Sequence, residues 1–406
     1  MFSSGKPNPN LITFQEKPWK QDPCKAERTI IKGPVATFTW DCSTETLLEE
    51  AKKTDLTTEF TINSGLIARR VNFWKRIYLV FSSDEYVLHS SEYPEVIFEF
   101  ATPLQKRTSA QQVRSQLGKR RLHYRRLTHK MHLTRHRPAK WNIEQKRIAR
   151  KMSHIRDSDK YKKVSISLRR QRGQKDFLEN GVATSKIYLP HIKRDFKKVG
   201  VPQELAYIAF VESSFNLKAK SKVGASGIFQ IMPRVGREYL KIDRSHGIDE
   251  RNDPIKAGIV AAKIFKENYR ITNSWPLSIT GYNHGPYGIK KIKKKLGTSD
   301  LVKMIKYHKG KSFGFASKNF YIQFLAMTEI MENEDEHFSN LDHQVPLAYS
   351  IHKLEKSRKL RWIERSFNTR ISSIKKLNPD LSHRTFKRQR LPKGYIVKVA
   401  ISNDGQ

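Results

Sequence analysis

Apolar positions in this chain follow two different periods, and the change between them divides it. Toward the front, RIYLVFSS and EYVLHSSEYPEVIFEF are rich in Val, Ile, Tyr and Phe. They are broken by Ser82-Ser83-Asp84 and Ser90-Ser91-Glu92, which predicts strands of a small antiparallel unit. Ahead of them Pro7, Pro9, Pro18, Pro23 and Pro34 predict an extended lead-in over residues 1–35. Val113, Leu117, Tyr124, Leu127 and Met131, at intervals of 4, 7, 3 and 4, fit one face of a helix. From about residue 176 the helical period persists. Leu205, Ile208, Glu212 and Phe215 follow at 3, 4 and 3, behind Pro202, Gln203 and Glu204, a helix-start signal. Asp253-Pro254 places an N-cap before a proline at the first helical position, and Ile255, Ile259, Ala262, Phe265 and Tyr269 then share a face. A third helix runs from Trp275 to a stop at Gly285-Pro286, and the tail from Tyr349 reads strand, two short helices, strand.

Charge changes the picture. The 406 residues are 37% hydrophobic, enough for two or three domains with a real core, yet 78 Lys+Arg face 39 Asp+Glu, a net of +39. Such a chain is not indifferent to polyanions, whether nucleic acid, an anionic membrane face or an acidic wall polymer. The excess is concentrated. Residues 1–105 hold 12 basic and 14 acidic side chains, whereas 106–172 hold 23 basic ones against Glu144, Asp157 and Asp159. His129, His132 and His136 lie in that basic segment, and His132/His136 form an i,i+4 pair. A metal site there competes with a solvated cationic helix face, and the lack of a neighbouring Cys or carboxylate favours the latter. The segment shows no zinc-finger, RRM or basic-zipper signature, so nucleic acid is not the favoured partner. Cys24 and Cys42 enclose 17 residues. They are too few for a zinc ribbon, and either close one loop in an oxidising compartment or remain thiols. No stretch approaches the ~18 apolar residues of a membrane-spanning helix. MFSSGKPNPNLITFQ lacks the apolar core of a secretory signal, so the literal expectation is a soluble, cytoplasmic chain.

Glu212 is the residue that needs explaining. Its spacing puts a carboxylate in an apolar stripe, where burial should raise its pKa and suit it to general acid work near neutral pH. A buried structural Glu paired with an Arg or Lys fits the same spacing. The following SSFNLKAKSKVGASGIFQIMP is a loop of small and polar residues with Gly224 and Gly227, the composition of a groove floor approached by a flat, hydroxyl-rich ligand. No second carboxylate occurs between Glu212 and Glu238, so a glycosidase pair is not local in sequence.

VESSFNLKAKSKVGASGIFQIMP, then DERNDP, then TGYNHGP, resembles the family 1 lytic transglycosylases of bacterial cell walls, above all their membrane-bound lytic murein transglycosylase D group. RQRG, YLP and GVP ahead of these motifs resemble that group's lead-in, and the likeness is good over roughly 165–335. It implies an α+β, mainly α chain: a lysozyme-like helical catalytic domain over 173–337, a small β-rich module over 36–105, the basic, partly helical segment 106–172, and a degenerate LysM-like βααβ module over 345–402. By motif position Glu212 would be the single acid/base. Ser221, Gln230 and Met232 would line sugar subsites, and Tyr282 and Asn283 would contact the acetamido group. Competing readings make Ser221 a turn residue, Met232 core and Asn283 a polar helix end. For Asp249, Glu250, Arg251 and Asp253 the favoured reading is caps and ion pairs. Two departures stand out. FGFASKNFYIQFLA has Ala316 where many relatives carry a Glu, with Phe320 and Tyr321 keeping aromatic character, and SIHKLEKSRKLRWI lacks the Gly-Asp pair of LysM modules.

The resemblance implies cleavage of the MurNAc-β-1,4-GlcNAc bond with a 1,6-anhydroMurNAc end, and needs neither cofactor nor metal. Peptidoglycan strands are the implied partner, with an anionic wall polymer on segment 106–172. The implied location is the periplasm or cell envelope, inferred from substrate alone. The competing functions are a lysozyme-like hydrolase on the same fold and a non-catalytic basic wall- or nucleic-acid-binding protein.

Overall fold

Strands from the front of the chain pair into one antiparallel sheet. The computed structural model describes residues 22–42, 64–341 and 348–401, together with Lys17, Lys20, Thr46, Glu49 and Phe60. In it β1 (Lys25–Lys32), β2 (Val35–Asp41), β3 (Tyr86–Ser90), β4 (Ile97–Pro103) and β5 (Leu168–Arg172) take the order β1-β2-β4-β3-β5. The extended lead-in expected over 1–35 thus contains a strand, while residues 1–16 lie outside the described residues. Cys24 and Cys42 are joined as a disulfide across the open end of the β1–β2 hairpin, with Cα atoms 4.5 Å apart. RIYLVFSS is not a strand: it begins inside helix α1 (Gly65–Leu79). Its β-branched and aromatic content favours a strand locally, but Ile67, Val71, Trp74 and Ile77 recur at helical spacing and are buried, and tertiary burial overrides propensity.

The sheet is apolar on both faces, which explains why its strands lack clean alternation. On one face Tyr86, Leu88 and Phe98 share a core with Val113, Leu117, Tyr124 and Met131 of α2 (Ala110–Leu133), Ile148 of α3 (Ile143–Lys151) and Val164 of α4 (Lys160–Ser167). On the other, Phe38 stacks on Phe100 at 5.1 Å and Phe73 of α1 lies 4.7 Å from His89. The stripe read as a helix face is therefore the lid of this sheet, and the basic segment is no separate arm. Arg120 is one of its cations turned inward. It grips the fully buried Glu99 through Nε at 3.0 and 2.8 Å, and Tyr124 Oη donates to the same carboxylate at 2.9 Å.

By its contacts the chain divides into Met1–Leu178 with Asp300–Asn333, and Glu179–Ser299 with Glu334–Gln406. The breaks expected at 105/106 and 337 are not where the structure divides. Helices Leu301–Tyr307 and Phe315–Glu332 belong with the first unit, where Trp74 donates to Asn319 at 3.2 Å and the Arg169 guanidinium lies 3.7 Å over the Phe315 ring.

The second unit begins along α5 (Lys175–Val199) and continues through α6 (Ile208–Ser213), α7 (Pro233–Tyr239), α8 (Pro254–Thr272), α9 (Trp275–His284) and α10 (Pro286–Leu296). In its interior Phe196 stacks on Phe229 at 6.1 Å and lies tilted against Phe265 at 6.4 Å. In its C-terminal segment, strands Tyr349–Lys353 and Ile396–Ala400 pair antiparallel. Helices Leu360–Ser366, Ile371–Leu377 and His383–Arg388 lie between them, one more than expected. The chain is mostly helical with some sheet. Among the described residues no helix is long and apolar enough to cross a membrane.

Leu117→Ala removes a fully buried side chain from α2. It should cost roughly 2–5 kcal/mol, whereas Leu122→Ala, on the exposed side of the same helix, should stay within about 0.5 kcal/mol. Calorimetric unfolding of the two variants checks this; equal and silent substitutions would restore the detached arm.

Candidate active site

Glu212 sits in the last turn of a helix only six residues long. Two consecutive non-glycine residues then turn left-handed, Ser214 at φ 49° and Phe215 at φ 57°. Each such residue costs on the order of 1–2 kcal/mol unless its surroundings compensate. Here they do. Phe215 is fully buried, 5.2 Å from the Phe210 ring and 6.5 Å from Tyr188, and the N–H groups of Ser214 and Phe215 donate to Phe210 and Ala209 carbonyls at 2.8 and 3.1 Å. Ser213 Oγ lies 3.0 Å from the carbonyl oxygens of both Ala209 and Ile228, tying the helix end to the loop that follows. The backbone of α5 closes the turn from behind: a Cβ on Gly181 would lie 2.1 Å from the Ser214 carbonyl oxygen.

The Glu212 side chain is half-buried. Desolvation pushes its carboxyl up to about 8. Tyr282, in α9, stacks on Phe265 at 4.7 Å and donates its hydroxyl to the Phe229 carbonyl at 2.8 Å. Burial raises that phenol well above its ordinary range, and the charge of Glu212 adds to the effect, which puts the two side chains in electrostatic reach of each other. Asn283 follows on the same turn and is exposed.

The loop between α6 and α7 supplies the remaining expected residues. Ser221 is a turn residue by its bonding, its Oγ accepting from Ala225 N–H at 2.9 Å. Gln230 adopts φ 47° and donates its side-chain amide to the carbonyls of Gly227 at 2.8 Å and Ala219 at 3.3 Å. Those bonds use its nitrogen and leave the carbonyl end of the amide as the acceptor. Met232 is 44% exposed, so it is not core packing. Arg251 holds this loop from below. Its guanidinium is 5% exposed, grips Asp249 at 2.9 and 2.8 Å, and donates through Nη1 to Gly224 and Ile231 carbonyls at 2.8 and 3.0 Å. Gly227 runs so close to it that a Cβ would lie 1.9 Å from the Arg251 carbonyl oxygen. Asp253 caps α8 through the N–H groups of Ile255 and Lys256 at 3.0 and 3.2 Å. DERNDP is thus a segment of caps and ion pairs.

Residues 315–321 belong to the first unit, where Ala316 is exposed while Phe320 and Tyr321 are buried. Their aromatic character is core packing. Among the described residues, Asp22, Cys24 and Cys42 form the one group of three or more potential metal ligands, and its two sulfurs are joined to each other. Sequence reasoning missed Gly181 and Ser213. A glycine inside an otherwise helical stretch was the available signal for the first; a serine following Glu212 carries none.

Gly181→Ala drives a methyl group into the Ser214 carbonyl and should shift the turn that aims Glu212. With water admitted, the carboxyl should fall from about 8 toward its ordinary value of 4.5. Carbon-13 NMR titration of the Glu212 carboxyl reads this directly, and an unmoved value would show that the turn tolerates the contact.

The transglycosylase SLT domain family matches residues 191–305. The membrane-bound lytic murein transglycosylase D of Escherichia coli (strain K12) is 30% identical over 170 residues, covering 39% of this chain and 34% of that protein. The chain therefore spans about a third of the length of the curated relatives it matches. Among solved structures, the 70-kDa soluble lytic transglycosylase of Escherichia coli is 23% identical, at a TM-score of 0.31 over 37% of this chain and 25% of that one. An inactive mutant of the Pseudomonas aeruginosa lytic transglycosylase Slt is 14% identical, at a TM-score of 0.31 over 73% and 38%. Likenesses that partial carry no argument of their own. The family match takes in the stretch that holds Glu212, its floor loop and Tyr282, so that residues 191–305 of this chain resemble the transglycosylase SLT domain family.

Proposed function

We propose that this protein is a peptidoglycan lytic transglycosylase with Glu212 as its single acid/base. The observation that carries this reading is one recessed carboxyl, held protonated near neutral pH beside Tyr282, inside the matched domain. Protonated Glu212 donates to the glycosidic oxygen as the bond from MurNAc C1 breaks, and GlcNAc leaves with that proton. The positive charge at C1 is met by the substrate's own acetamido oxygen. Glu212, now ionised, takes the proton of the MurNAc C6 hydroxyl, whose oxygen attacks C1 and expels the acetamido oxygen. The product is a 1,6-anhydro end, no water is consumed, and Glu212 ends as it began. Gln230, Met232, Tyr282 and Asn283 would line the sugar groove. Ser221 would present its hydroxyl proton from the turn it closes.

Other features fit the same reading. The Cys24–Cys42 disulfide suits an oxidising compartment, and so the cell envelope where the substrate lies. The exposed cations of α2, among them Arg121, Arg125, Arg126 and Lys130, suit an anionic wall polymer held by salt-sensitive attraction. On this view the anchor is one surface of a folded unit. The C-terminal segment would be the degenerate LysM-like module.

Glu212→Gln should lose turnover by at least ~10²–10⁴ with the fold intact. Mass spectrometry of digested peptidoglycan should show anhydro ends for the wild type. Reducing ends would make the protein a hydrolase, and no cleavage a binding protein. Because the folded pKa of about 8 lies above the ordinary value of 4.5, the acid form is present below about 8 and lost above it. Activity should therefore fall on the alkaline side through pH 8. By the same linkage, Glu212→Gln should melt above the wild type at pH 9 and together with it near pH 4.

Replacing Arg121, Arg125, Arg126 and Lys130 together by Gln should leave cleavage of short soluble glycans unchanged. Sedimentation with intact sacculi should weaken, and its salt dependence flatten. Loss of DNA or RNA retention with wall binding unchanged would give the surface to nucleic acid instead.

A further inference from the structure

The second unit concentrates its buried ion pairs where the C-terminal segment meets residues 246–256. Lys398, 4% exposed, pairs through Nζ with Asp253, which is fully buried and caps α8. Asp380, 2% exposed, accepts from Tyr395 Oη with both oxygens at 3.0 Å and lies 3.5 Å from Lys256, which also pairs with Glu250 at 2.8 Å. The ring of Tyr349 lies 5.7 Å from Lys398 Nζ. Backbone bonds run alongside: Asp249 N–H to Asp380 carbonyl at 2.9 Å, and Ser382 N–H to Gly247 carbonyl at 2.9 Å. Thr385 Oγ1 donates to the His246 carbonyl at 2.7 Å, and Ile248 shares the core of Leu360, Ile374 and Val397.

A module that met its ligand from a tether would have no use for such a junction. Burying two opposite charges is expensive unless the geometry is fixed, and removing one partner leaves the other uncompensated. The junction continues toward the active site without a break. Asp249, held by Asp380, grips Arg251; Arg251 grips the carbonyls of Gly224 and Ile231 in the floor loop. That loop reaches the Glu212 turn at the Ile228 carbonyl, through Ser213, and Tyr282 at the Phe229 carbonyl.

We propose that the C-terminal segment is a positioning element of the active site, in which Lys398 and Asp380 fix residues 247–253 and thereby, through Arg251, the floor beneath Glu212. The proposal rests on Glu212 being the catalytic acid. Lys398, Asp380 and Arg251 are positioning residues: they touch no substrate and act on where Glu212 and Gln230 stand. A displacement near 1 Å at a reacting group is enough to cost ~10²-fold in rate.

The test uses the full chain on short soluble glycan fragments, for which wall attachment is irrelevant. Lys398→Met should lower turnover at least ~10-fold at a temperature where circular dichroism shows it folded. Its alkaline limb should move down by roughly half a pH unit or more, because a loosened floor lets water reach Glu212. Lys398→Arg should restore both, and Lys376→Gln, exposed in the same segment, should change neither. A purely structural contribution would reduce the folded fraction and leave the limb in place. Folded Lys398→Met with unchanged turnover and limb, or with a defect confined to insoluble wall, overturns the proposal. Should that variant not fold, Tyr395→Phe removes only the hydroxyl on Asp380 and should shift the limb the same way by less; no shift overturns the proposal equally. An active Glu212→Gln would instead overturn the catalytic reading, so the two failures are distinguishable.

Discussion

A carboxyl group raised to about 8 by burial, on a side chain that stays partly exposed, is the constraint on which the second unit turns. Full burial would close Glu212 off from solvent; free exposure would return it to an ordinary acid. The structure meets both demands by ending α6 immediately after Glu212 and reversing the chain through two left-handed residues. That reversal is unfavourable by itself. It is held by Phe215 in the core, Ser213 on two carbonyls and a glycine backbone pressed against it. Strain at a site persists only where the surroundings over-determine it, and here the compensating contacts come from α5, from α6 itself and from the loop that follows.

The large positive charge has two distinct uses. Part of it is spread over exposed helix faces. The rest is internal. Arg120 holds Glu99 under the sheet, and Lys151 donates to the Ile97 carbonyl with its ammonium pushed down to about 8 by burial. Arg251 and Lys398 are buried within a few per cent of completely. Net charge describes the outside of the molecule, and the inward-turned cations are a matter of local pairing that a composition count does not separate.

Legibility in the sequence followed the same division. Glu212 was readable because its i, i+3, i+4 neighbours are apolar, so a carboxylate there contradicts the pattern. DERNDP was readable as caps because Asp before Pro has a local meaning. The Val113–Met131 stripe was readable as a buried face, but periodicity names no partner, and the sheet it covers is built from strands before and after it. RIYLVFSS misled because side-chain type and burial spacing disagree there, and burial decided. Phe320 and Tyr321 kept a family's aromatic pattern yet serve a core. Gly181 acts on Ser214, 33 residues away, through a close backbone approach that no local pattern encodes.

The chain's route between its two units bears on how it can be made. It leaves the first after Leu178, returns at Asp300 and leaves again at Asn333. During synthesis the front sheet is therefore exposed without helix Phe315–Glu332 while most of the second unit is being translated. The second unit in turn waits for its final residues to complete the Lys398–Asp253 pair. Neither unit can finish before the other has begun. A fragment cut at 173 and 337 would part helix Phe315–Glu332 from the rest of the first unit and Asp253 from Lys398, so the piece that looks like a catalytic domain on the sequence map takes part of each unit.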